Sequence, residues 1–153
     1  MTSKKRKNAV KNLSPDISYF RLSLMDFLRE SHPGRLKDQR FIISSADTAT
    51  EAYQQAIHNG DNPIEAAEQA NAVLFRDLQF SKHDTLVNIL WNEFTNEVPE
   101  ETANDLAIRL LPECEQVFAQ YPLSDGFAYE PEYELLYTEL TGTIALYIES
   151  HNS

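Results

Sequence analysis

Residues 80–94 read FSKHDTLVNILWNEF. Ser81 can accept a backbone N–H as an N-cap, and Asp84 falls at the third helical position, so a helix is predicted to start here. Leu86, Ile89, Leu90 and Phe94 recur at helical spacing, and the lone Trp91 widens their stripe. An apolar surface this broad predicts a central helix touching neighbours on two sides. Val98-Pro99 ends the segment.

Helical spacing continues on both sides. Upstream, Ser14-Pro15-Asp16 supplies a cap, a proline at the first position and an early acid. Ile17, Phe20, Leu24 and Leu28 then form a stripe that stops at His32-Pro33-Gly34. A second helix is predicted from Asp38, with Phe41, Ile42, Ala46, Ala49, Tyr53, Ala56 and Ile57 on one face and Asn59-Gly60 as its stop. Asn62-Pro63-Ile64-Glu65 opens a third helix lined by Ala67, Ala70, Leu74 and Leu78.

Downstream, Glu100 and Glu101 begin a fifth helix whose face is Ala103, Leu106, Ala107, Leu110 and Leu111. Pro112 predicts a kink or break there. Residues 123–130 read as a crossing loop tacked to the core by Leu123, Phe127 and Tyr129. A last helix is predicted from about Pro131 to Glu149. Its core stripe is Tyr133, Leu136, Leu140, Ile144 and Ile148, and Gly142 inside it calls for a close neighbour. Four glycines are too few for the turns of an all-β chain. The fold class expected is all-α. It has about six helices in a compact multihelical bundle, or two small helical subdomains sharing the Trp91 helix. Residues 1–13 are expected to be a flexible basic tail, and 14–153 a single acidic helical domain.

The chain has 153 residues, a formal net charge of −11 and one cysteine. A single cysteine excludes an intrachain disulfide and a Cys-rich zinc site. No apolar run reaches the ~20 residues of a membrane span, and no apolar segment follows the basic N-terminus as in a secretory signal. A cytoplasmic location without membrane contact is expected. The charge is unevenly spread. Lys4, Lys5, Arg6, Lys7 and Lys11 give the first eleven residues +5; residues 12–82 hold seven bases and ten acids; residues 83–153 hold fourteen acids and only Arg109. The acidic half repels phosphates, so nucleic acid contact is confined to the tail. The same half would attract a basic protein partner. Glu130, Glu132, Glu134 and Glu139 crowd the entry of the last helix and mark a candidate acidic surface.

His83-Asp84 is the one pair with catalytic chemistry in reach. Neighbouring helical residues point about 100° apart, so Asp84 is not expected to orient the His83 ring, and capping is the favoured role. Cys114, between Glu113 and Glu115, reads as a buried small hydrophobe. His32, His58 and His151 lie near helix ends, where a charged imidazole suits the dipole. No phosphate loop, dinucleotide fingerprint or metal spacing occurs, so no cofactor is expected.

Three stretches carry a family resemblance: residues 80–94, residues 107–144 (AIRLLPECEQVFAQYPLSDGFAYEPEYELLYTELTGTI), and Tyr19-Phe20-Arg21-Leu22. The chain resembles a bacterial domain-of-unknown-function family of small all-helical proteins of about 150 residues, often encoded in or beside conjugative transposons. The resemblance runs from Ile17 to Glu149. It implies a helical domain of cytoplasmic type, and it implies neither an activity nor site residues. The expected function is a non-enzymatic protein-interaction module, accessory to a mobile element. The alternative is a nucleic-acid-associated accessory protein that uses the basic tail.

Overall fold

A computed structural model describes residues 15–152. Lys4, Lys5, Arg6, Lys7 and Lys11, and the cap expected at Ser14, lie outside the described residues. Six α-helices follow in order: α1 (Ile17–Ser31), α2 (Gln39–His58), α3 (Pro63–Leu74), α4 (Lys82–Glu93), α5 (Ala103–Phe118) and α6 (Glu132–Asn152). Short 3-10 turns sit at Pro33–Arg35, Glu100–Thr102 and Phe127–Tyr129, and no strand occurs among the described residues. The protein is all-α, as its spacing predicts.

The chain divides into two compact units. One runs up to Phe27 and resumes over Leu36–Phe75; the other holds Leu28–Arg35 and everything from Arg76 onward. The Trp91 helix lies wholly in the second unit, and the helix with residues in both is α1.

In the first unit, α1 is capped by Asp16, whose carboxylate accepts the Tyr19 N–H at 3.0 Å. The hairpin of α2 and α3 is built on alanines. Ala46, Ala49, Ala56, Ala66 and Ala70 are all buried, and side chains this small let two helix backbones approach closely. Ala66 takes the place expected of Ala67, which is half-buried, because the buried row steps by four residues through Ala66, Ala70 and Leu74. The turn between the helices is closed at both ends. Asp61 N–H reaches Ala56 C=O, Gly60 N–H reaches Ile57 C=O, and Gly60 adopts φ +100, the left-handed exit of a Schellman motif. Asn62 and Glu65 then exchange side-chain and backbone hydrogen bonds as a capping box, with Pro63 at the first position.

In the second unit, α4 packs with α5 and α6 around Leu86, Ile89, Leu90, Leu110, Phe118, Leu136, Leu140 and Ile144. The buried arc of α4, from Thr85 to Val87, spans about 200° at about 100° per residue. Trp91 falls beyond that arc and is 43% exposed, so the helix is central without its tryptophan. Pro112 does not break the helix: α5 runs unbroken past it, with the proline on the exposed side. The loop after α5 is held by Phe127, whose ring meets Phe80, Tyr121 and Tyr133 edge-on. Leu123 is half-buried, whereas Tyr129 is 93% exposed and does not tack the loop down.

Gly142 also departs from expectation. It is exposed, and a Cβ built there meets nothing within 4 Å. Two glycines therefore have opposite predicted responses to alanine. Gly142→Ala should raise stability by about 1 kcal/mol, the helix-propensity difference. Gly60→Ala should lower it by ~1 kcal/mol, because its φ of +100 is hostile to a Cβ. Urea denaturation midpoints of the two variants should move in opposite directions.

Candidate functional site

The polar residues at the start of α4 converge with the end of α1, all within the second unit. Ser81 caps α4: its Oγ accepts the Asp84 N–H at 2.9 Å and donates to the Ser31 C=O. The Ser31 hydroxyl donates to Asp84 Oδ2 at 2.9 Å. His32 Nε2 donates to the Leu78 C=O at 2.7 Å. His83 is buried, and its Nδ1 lies 3.3 Å from Asp84 Oδ1.

That last contact corrects the expectation that Asp84 cannot orient His83. Helical side chains lean toward the N-terminus. In a first turn no preceding turn blocks them, so residues at the second and third positions can meet. An ionised carboxylate only accepts, so Nδ1 of His83 is the donor in this contact. Burial acts on Asp84 to raise its pKa. Hydrogen bonds from His83 and Ser31, with the fields of His83 and His32, outweigh it and hold the carboxyl below its ordinary range. His32 is shifted the other way from a dipole-stabilised cation. Burial lowers its pKa below 6.5, against the opposing pull of the Leu78 carbonyl and Asp84, with Arg35 and His83 adding to the lowering.

These residues border a cleft of about 420 Å³. Leu78, Phe80, Leu111 and Leu123 give it apolar walls, and His32, Arg35, Lys82, His83, Asp77 and Glu115 supply its polar groups. Lys82 Nζ pairs with Glu115 at 2.8 Å across α4 and α5. Asp77 holds a positive φ of 65, and Asp125 accepts the N–H groups of Asp77 and Gln79, each at 3.0 Å.

The acidic candidates are separate from the cleft. Glu130, Glu132, Glu134 and Glu139 are all exposed. Glu130 precedes α6, and Glu132 and Glu134 fall in its first turn. Glu139 accepts the Tyr121 hydroxyl, which pushes that phenol up to about 12. Glu93 lies at the far end of α4 from His83 and accepts the Tyr137 hydroxyl at 2.9 Å. Cys114 is fully buried, and burial, then Glu113, push its thiol up to about 11, which makes it a poor nucleophile. Among the described residues no group of three or more metal-ligating side chains occurs, and no helix is long and apolar enough to cross a membrane.

Sequence reasoning missed His32 and Ser31 as members of the site. Their partners Leu78, Ser81 and Asp84 lie some fifty positions away, and no local pattern reports such a contact.

Residues 12–153 match a family model described as a domain of unknown function, DUF1896. The fold is similar to the crystal structure of protein PG0816 from Porphyromonas gingivalis, with a TM-score of 0.86 and 44% sequence identity over 89% of this chain and 93% of that one. No curated protein matches the chain.

The His32 environment sets a pH dependence. Its folded pKa lies below the unfolded 6.5, so the unfolded chain binds a proton first as pH falls. The stability this group contributes is present above 6.5 and is lost as pH falls through the lower folded value. Asp84 contributes in the same sense further down, below 3.8. The thermal midpoint should therefore drop on mild acidification. His32→Gln, which can still donate to the Leu78 carbonyl but cannot titrate, should show a shallower drop through that range.

Proposed function

Because the chain belongs to the DUF1896 family, we propose from its own geometry that it is a non-enzymatic protein-interaction module whose docking face is the outer side of α6. The carrying observation is an apolar row with no partner among the described residues. Leu135 and Leu146 are 62% and 69% exposed, and Gly142 lies between them with open space above it. At about 100° per residue, the three fall within an arc of roughly 40°. The opposite face of α6 holds Leu136, Leu140 and Ile144 in the core.

Acids flank the row on both sides. Glu132 and Glu139 lie on one flank, and Glu134 and Glu149 on the other. Exposed leucines rimmed by charge mark interaction surfaces. The absent Cβ of Gly142 allows a partner backbone close approach. A fitting partner is an amphipathic helix with an apolar stripe bordered by Lys or Arg, which the acidic rim would steer and align. A component of a mobile element's transfer machinery is the partner class that the family resemblance supports.

The test compares the wild-type chain with Leu135→Glu/Leu146→Glu as immobilised bait at low and high salt. The wild type should retain a basic protein that high salt weakens and the double variant loses, with both baits giving the same helical circular dichroism. Equal retention by the two baits would contradict the assignment of this face.

A further inference from the structure

We propose that the cleft beside His83 is a binding site for a small carboxylate with an apolar body, held by the His83 imidazole. His83 lines the cleft, and its Nδ1 is engaged by Asp84, which does not line it, so Nε2 is the ring nitrogen left to meet a ligand. The Asp84 carboxylate is itself held by the Ser31 hydroxyl, and its backbone N–H by Ser81 Oγ, which orients the His83 ring. The cavity, at about 420 Å³, is within the size range of small-molecule sites. Leu78, Phe80, Leu111 and Leu123 would cover an aromatic or branched body.

The polar end carries two cations, Arg35 and Lys82, and Lys82 already holds one carboxylate, that of Glu115. The imidazoles of His32 and His83 border the cleft beside them. The opposing acids are Asp77 and Glu115. Glu115 pairs with Lys82 in an exposed ion pair, which is weak and readily exchanged for a ligand carboxylate. Asp77 borders the cleft with a positive φ, and backbone strain of this kind gathers at ligand sites. Bound as the anion, the ligand would draw one proton from solvent onto Nε2. An N–H bond forms there, and an imidazolium sits between the Asp84 and ligand carboxylates. The site is independent of the α6 face: its ligand is small, and its residues are on other helices.

Isothermal titration calorimetry on the full chain tests this with benzoate, benzylamine and benzyl alcohol. Benzoate should bind, benzylamine should not, and benzyl alcohol should bind more weakly than benzoate. Benzoate affinity should increase on the acid side of neutrality, with proton uptake visible as a dependence of the heat on buffer ionisation. His83→Gln should weaken benzoate by about tenfold, the loss of a charge-assisted hydrogen bond. Lys82→Ala, at a half-exposed position the fold tolerates, should weaken benzoate while leaving benzyl alcohol unchanged. Equal binding of benzylamine and benzoate, no binding of benzoate, or unchanged benzoate affinity in Lys82→Ala would each overturn the proposal.

Discussion

The second unit is organised by one hydrogen-bonded knot at the start of α4. Ser81 caps the helix with one hydrogen bond and ties down the end of α1 with another. Ser31 returns a bond to Asp84, and His32 holds the Leu78 carbonyl. The buried Ser81 and Thr85 hydroxyls both have partners, which is the condition for burying polar groups at all. The consequence reaches past stability. With Asp84 held by Ser31 and Ser81, the His83 ring has a fixed partner for Nδ1, and His83 itself lines the cleft.

Helix α6 shows the complementary arrangement. One face completes the core, and the other carries leucines with nothing to cover them. A glycine in the middle of that outer face has no internal packing reason. Four of the fourteen acids of residues 83–153 flank it. On the function proposed above, those acids would select a basic partner and disfavour a second acidic copy. Two devices thus occupy one unit, a rigid polar cleft and a solvent-facing apolar row, and they draw on different residues.

Much of the fold was legible locally. The caps at Asn62-Pro63-Ile64-Glu65 and at Ser81 to Asp84 have short-range mechanisms, and both form as read. Core stripes at helical spacing identified most buried positions. The failures share a cause. Trp91 and Tyr129 are apolar enough to suggest burial, but the arc of α4 was already filled and Phe127 alone sufficed to anchor the loop. Pro112 sits on the exposed side, where the helix continues past it. His32 was read from its position near a helix end, whereas burial and a carbonyl 46 residues away set its charge state. Tertiary neighbours decided each of these, and one sequence does not display them. His83 lies between the two cases. Its neighbour Asp84 was visible, but their contact depends on the open first turn of the helix and on Ser31.

The most direct measurement is the ¹⁵N chemical shift of the two His83 ring nitrogens in the uncharged imidazole, reached by raising the pH until the shifts stop changing. The knot at α4 predicts a protonated-type shift for Nδ1 and a lone-pair-type shift for Nε2, with the Nδ1 proton lost to exchange when Asp84 is replaced by Ala. A neutral ring protonated on Nε2 would show that Asp84 does not set the tautomer and would contradict the account.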